Sequence, residues 1–190
     1  MAHRVQLHNK VIILLLQVII CSFLFSCTSA PALPVNSNNP LLQLQGGILC
    51  YEGKAFTGTV YRLYPDGSIA RKTQYADGRE DGIMQGWYPG KVLQENRLFA
   101  DGKKVGIHKG WWPNGKAKFE YMFTDDEHNG TAKEWFSDGK LFRVFHYNMG
   151  HEDGLQQMWW PDGTVRANYV VKNGQQYGLI GRKLCTNTVK

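Results

Sequence analysis

From about residue 49 to 184, apolar and polar positions recur with one period. Each repeat opens with a short glycine-led stretch that, in all but the first, ends in two aromatic residues, as in "GIMQGWY" and "GIHKGWW". A turn follows, and then a longer stretch such as "VLQENRLF", "KAKFEYMF" or "KLFRVFHY". Apolar residues at every second position are the mark of a half-buried β-strand, and β-branched and aromatic residues fill these runs. The chain contains 21 glycines, which would weaken helices but suit tight turns between strands. Each period therefore predicts one β-hairpin.

The period is strict. Gly58, Gly82, Gly106, Gly130, Gly154 and Gly178 are each 24 residues apart, as expected of stacked units that dock in one fixed way. Counting from these glycines, position five is Leu63, Trp87, Trp111, Trp135 and Trp159, and position six is Tyr64, Tyr88, Trp112, Phe136 and Trp160. The turns "PDG", "PNG", "SDG" and "PDG" carry the Asp-Gly or Asn-Gly pair that favours hairpins. The second unit reads Pro89-Gly90-Lys91, so its turn is expected to differ in type or to slip by one residue. Position eleven (Ile69, Leu93, Ala117, Leu141, Val165) and position seventeen (Tyr75, Phe99, Phe123, Tyr147, Val171) are an even number of residues apart. They are expected to share one sheet face with Thr73, Arg97, Tyr121, Phe145 and Tyr169.

Both ends of the array carry half a unit: "LCYEGKAFTG" matches a second half, with Tyr51 in register with Tyr75, and "GLIGRKLC" matches a first half. The expected fold is all-β. It is a single-layer antiparallel meander of tandem 24-residue hairpins, five full units plus a half at each end, about twelve strands in all, twisted or curled. Strands spaced at about 4.8 Å would place Cys50 and Cys185 on the order of 50 Å apart, so no disulfide is expected between them.

The succession of two aromatics, Pro, Asp or Asn, Gly and Lys, then an apolar strand ending in Tyr or Phe, then Asn/Asp-Gly and a closing Gly resembles the MORN-repeat variant family. Bacterial members of that family are often labelled antitoxins of the YwqK type. The opening "YEGKAFTGTVYRLYPDGSI" is similar to the start of such arrays. The resemblance implies a β-hairpin array used as a binding scaffold, and brings no catalytic residues with it.

Three segments are expected. Residues 1–26 read as a leader, with the basic "MAHRVQLHNK", the apolar "VIILLLQVIICSFLF", and Leu24-Phe25-Ser26-Cys27 resembling a bacterial lipobox. Cleavage there would leave Cys27 as a lipidated N-terminus; the alternatives are an uncleaved anchor or a plain secretory signal. No aspartate follows Cys27, so a Gram-negative host would place the protein at its outer membrane. Residues 27–45, rich in Pro, Ser and Asn, read as a disordered tether, and 46–190 as the repeat domain. Arg4 and Lys10 lie in the leader, so the mature chain carries 20 basic and 16 acidic residues. That mild excess, without a Lys/Arg block, gives no reason to expect a nucleic-acid partner.

No catalytic constellation emerges. His108, His128, His146 and His151 lack metal-ligand spacing, "TDDEHNG" reads as a solvated turn rather than a calcium loop, and no cofactor, metal or enzymatic activity is expected. The candidate binding residues are the aromatics at positions five and six. Being consecutive, the two columns are expected on opposite faces, one of them exposed and flanked by Arg62, Lys109 and Lys133. The expected function is a protein-binding envelope scaffold of antitoxin type, with a lipid- or glycan-binding module as the alternative.

Overall fold

The computed structural model describes residues 34–181, so the leader, Cys27, the start of the tether and Cys185 lie outside the described residues. Every regular element within them is a β-strand. Four short strands come first: β1 (Val35–Asn36), β2 (Leu42–Gln45), β3 (Ile48–Tyr51) and β4 (Lys54–Ala55). The repeats then supply β5 (Gly58–Leu63), β6 (Ile69–Ala76), β7 (Arg79–Trp87), β8 (Leu93–Ala100), β9 (Lys103–Trp111) and β10 (Ala117–Thr124). They continue through β11 (Glu127–His128), β12 (Gly130–Trp135), β13 (Leu141–Asn148), β14 (His151–Glu152), β15 (Gly154–Trp159), β16 (Val165–Lys172) and β17 (Gln175–Leu179). From β5 onward the main path is an antiparallel meander in one 14-stranded open sheet, with β11 and β14 as side branches.

Two kinds of turn alternate along the chain. Between units lie two-residue turns with positive φ at both central residues, as at Asp77–Gly78 (φ 47° and 77°) and Met149–Gly150 (43° and 81°), the type I′ geometry that matches strand twist. Within units, Tyr64 N donates to Ser68 O at 2.8 Å and Gly67 N to Tyr64 O at 2.9 Å, and the same pair of bonds closes every such turn. The turn at Pro89-Gly90-Lys91 keeps these bonds and does not slip: Tyr88 N donates to Val92 O at 2.9 Å and Lys91 N to Tyr88 O at 3.2 Å. Its type does change. Gly90 takes φ +90°, a conformation that the Asp or Asn of the other units does not adopt, and Lys91 takes φ +67°.

The glycine period marks a backbone irregularity. Gly82, Gly106, Gly130, Gly154 and Gly178 have φ of 99°, 66°, 102°, 77° and 118°. At the first of these, Thr73 pairs with Met84 but Tyr75 pairs with Glu80, so two residues face four. A second bulge lies near the other end of each hairpin. Arg62 pairs with Arg71 but Leu63 with Ile69, leaving Ala70 extra. The same shift recurs at Gln94, Lys118, Phe142 and Arg166.

This second bulge overturns the expectation that position eleven shares a face with positions fifteen and seventeen. Thr73, Phe99, Phe123, Phe145, Tyr169 and Val171 are buried, whereas Ile69 and Val165 are 37% and 52% exposed. Burial is one-sided throughout: Met84, His108, Ala132 and Gln156 line the inner face, and Ile83, Leu98, Ile107 and Met122 stand exposed on the outer one. A single open sheet buries one face by curling over it.

The N-terminal region also departs from expectation. The tether was expected to run from 27 to 45, but its described part holds β1 and β2, and β1 pairs parallel with β5 (Val35↔Val60). Asn36 and Asn39 accept bonds from the backbone N–H two residues on, both at 2.9 Å, so here the Asn-rich composition encodes turns. The half unit before Gly58 does not extend the main ladder; β3 pairs with β2 and β4 in a separate three-stranded sheet. One more residue separates Gly53 from Gly58 than separates Gly78 from Gly82, which breaks the register. The small sheet is held through the Asp77–Gly78 turn, with Leu49 N donating to Gly78 O at 2.9 Å and Gly78 N to Phe56 O at 2.8 Å.

Candidate functional site

The two aromatic columns are joined to each other. Tyr64 Oη donates to Trp87 O at 2.7 Å, Tyr88 Oη to Trp111 O at 3.1 Å, and Trp112 Nε1 to Trp135 O at 3.1 Å. Each position-six side chain thus reaches the position-five carbonyl of the following unit. Phe136 has no donor and packs on Phe142, with ring centroids 5.0 Å apart. Trp160 is the exception to the half-buried rule in its column, at 47% exposed, with the Arg166 guanidinium 4.4 Å from its ring centroid. Trp87, Trp111, Trp135 and Trp159 are all half-buried. Neither column forms the exposed stripe expected from strand alternation; in the position-six column the hydrogen bonds between units hold Tyr64, Tyr88 and Trp112 against their neighbours.

The three flanking cations do not share a face. Arg62 pairs across the ladder with Arg71, in the column that continues through Gly86 to Glu95. Lys109 and Lys133 instead both pair with Glu120, and Lys109 Nζ lies 3.1 Å from its carboxylate. They cannot jointly border one stripe.

Three of the sequence-chosen aromatics, Trp112, Trp135 and Phe136, do converge. Together with Lys118, Phe119, Tyr121, Glu134 and Phe142 they line a cleft of about 290 Å³ between the third and fourth units. The second bulge builds its walls: the bulge residue Lys118 lays its Nζ 4.6 Å from the Trp112 ring centroid, and the bulge residue Phe142 packs on Phe136. Phe119 stacks on Tyr121 at 4.7 Å and lies over Gly110. At the edge, Glu134 Oε1 accepts hydrogen bonds from Tyr121 Oη and Arg143 Nη2. Burial, reinforced by the Glu134 carboxylate, pushes the Tyr121 phenol up to about 12, so it remains a donor at any physiological pH. With Glu134 matched by Arg143, Lys118 is the cation of the cleft without a salt-bridged carboxylate.

Two further inner-face features escaped the sequence reading. Glu95 is buried between Arg71 Nη2 and Arg97, each at 2.8 Å. His108 is wholly buried, with Nε2 2.8 Å from Leu98 O and Nδ1 unpartnered. Among the described residues no three His, Cys, Asp or Glu side chains gather as metal ligands, and Cys50 is a buried free thiol. Of the cleft residues Phe119, Tyr121, Glu134 and Phe142, only Tyr121 stands in a mostly aromatic period-24 column; the columns of the other three mix charged, small and apolar residues, and the convergence depends on the bulge, which single-strand alternation does not reveal.

Compared with models of known protein families, residues 129–149 match the one described as MORN repeat variant. Over this unit the chain is similar to a MORN repeat variant. No curated protein matches the chain. The matched MORN segment comprises the turn residue Asn129, β12, the following turn and β13, and contributes Glu134, Trp135, Phe136 and Phe142 to the cleft. MORN repeats of this kind act in general as binding repeats without catalytic residues, so the match suggests a repeat-based binding scaffold.

Proposed function

We propose that this chain is a non-enzymatic, lipid-anchored scaffold of the cell envelope that binds a protein partner, in the manner of a toxin-neutralising or immunity protein. The observation that carries the reading is the aromatic cleft between the third and fourth units, whose Trp, Tyr and Phe walls and matched Glu134–Arg143 pair resemble the centre of a protein-binding surface. A partner side chain seated there would be desolvated by rings already held in place, at little cost in ordering. The lipobox-like sequence ending at Cys27 supports an envelope location, at the outer membrane in a Gram-negative host.

The test is affinity purification from native envelopes with the wild-type chain and with a Trp112→Ala/Phe136→Ala variant. The expected result is a stoichiometric protein that co-purifies with the wild type and is lost, by at least about tenfold, from a variant that still unfolds cooperatively. Recovery of lipid or glycan in place of protein, with the same loss in the variant, would transfer the site to the lipid- or glycan-binding alternative. Mass labelling of Cys27 with a fatty acid checks the anchor, and an unmodified Cys27 would remove the lipoprotein part of the reading.

A further inference from the structure

The crevices between successive Pro-containing turns are not equivalent. Asn114 Nδ2 donates to Ser137 O at 2.7 Å and Lys116 Nζ to Asp138 O at 2.6 Å, tying the third turn to the fourth; Lys140 Nζ donates to Pro161 O at 2.8 Å, tying the fourth to the fifth. The first turn has Ser68 where these turns have Lys116 and Lys140. Ser68 Oγ bonds Asp66 of its own turn at 2.6 Å and does not cross. The crevice between the first and second turns stays open as a cleft of about 410 Å³ lined by Gly67, Ser68, Ile69, Lys72, Trp87 and Lys91.

Its two lysines are unusual in different ways. Lys91 sits at φ +67°, at the turn position where the other four units have Gly67, Gly115, Gly139 and Gly163. Glycine would take that conformation without the steric cost that a lysine side chain bears. Lys72 pairs with Gln85 while Arg71 pairs with Gly86, so Lys72 points to the face opposite Arg71 and Glu95. Among the described residues no ion pair engages Lys72 or Lys91. Asp66, the acidic group of the adjoining turn, is bound to Ser68 N at 2.9 Å as well as to its Oγ. The cleft therefore joins an apolar floor, Trp87 and Ile69, to two lysines that form no ion pair; the nearest carboxylate, Asp66, feels the Lys91 charge but lies outside the lining and is held by Ser68.

We propose that this cleft recognises an acidic segment of a partner protein, a carboxylate side chain being held by Lys72 and Lys91 while a neighbouring apolar side chain packs on Trp87 and Ile69. The volume suits one or two side chains, not an extended surface. A phosphate alone would leave the floor wet, and a polyanion would need a longer basic track than two lysines provide. The site lies on the outer face, whereas the aromatic cleft opens on the inner one, so each can fail without the other.

The experiment measures fluorescence anisotropy of a labelled alternating Glu-Leu peptide against the full-length chain in detergent. Saturable binding that weakens with salt is expected, with no binding of the Gln-Leu counterpart. Lys91→Gly restores the residue of the other units, so the fold is retained and its thermal midpoint stays level or rises, while affinity falls about tenfold; Lys72→Gln lowers it similarly. Trp112→Ala, in the aromatic cleft, leaves peptide binding unchanged. Equal binding by wild type and Lys91→Gly overturns the proposal. So does competition by inorganic phosphate or by phosphatidylglycerol vesicles with the same dependence on Lys91, which would assign the site to a phosphate-bearing ligand.

Discussion

Gly110 has no room for a side chain, because a Cβ there would sit 2.1 Å from Cε1 of Phe119. The aromatic ring of one strand lies flat across the bare backbone of its neighbour, and the rotamer of a cleft-lining residue is fixed by an absence of atoms. Gly110→Ala is expected to cost about 1–3 kcal/mol of stability, as overpacking of a filled site does. Trimming the ring relieves the clash, so Gly110→Ala combined with Phe119→Leu should lose less than the sum of the two single changes in urea denaturation. Additive losses would mean that the ring does not rest on this glycine. Glu95 uses the same device one unit earlier, lying over Gly86, where a Cβ would meet its Cγ at 3.1 Å. These pairings are cross-strand facts, and the sequence shows only that a glycine and a large residue recur in their respective columns.

Across the strands from β8 to β13, rings form a ladder: Phe99 to His108 (5.5 Å between centroids), His108 to Phe123 (4.7 Å), Phe123 to His128 (4.3 Å) and His128 to Tyr147 (5.0 Å). Burial lowers the pKa of His108 and of His128 below the ordinary 6.5, and nearby cations, Arg97 and Lys104 for His108 and Lys104 and Arg143 for His128, push the same way. The unfolded chain therefore binds protons at a higher pH than the folded one. Stability from these two residues is full above about pH 6.5 and is lost as the pH falls from there towards their lowered folded values. Denaturant midpoints measured downward from pH 7.5 should drop below pH 6.5, and His108→Met, which installs the Met84 side chain of the preceding unit, should flatten that drop. A pH profile identical in the variant would show that His108 does not titrate in this way. At this scale the sequence was largely legible. Strands, both turn families and the 24-residue register follow from local glycine and Asx chemistry. The bulge at Ala70, Gln94, Lys118, Phe142 and Arg166 was not, because it is set by what a strand pairs with; reading alternation straight through it put position eleven on the wrong face and left the aromatic cleft unseen.

At the scale of the whole array, every pair of elements in substantial contact is also hydrogen-bonded side by side. Stability is therefore a chain of nearest-neighbour terms, as in other repeat proteins, and the edges differ. At the leading edge β5 is covered by β1, and the small sheet grips the next turn. All five residues of β17 are exposed. Native-state hydrogen exchange followed by mass spectrometry should find the weakest amide protection of the main sheet in β17, rising through β16 and β15 to the middle strands. Uniform protection up to β17 would mean that this edge is covered in solution. The bonds from Tyr64, Tyr88 and Trp112 each join a donor to an acceptor 23 residues further on, one short of the period. Copying or excising any 24-codon window of the gene, wherever the breakpoint falls, would keep that spacing and re-create the tie wherever the copied residue has a donor, so an array built in this way can change length by recombination without a new joint having to be invented.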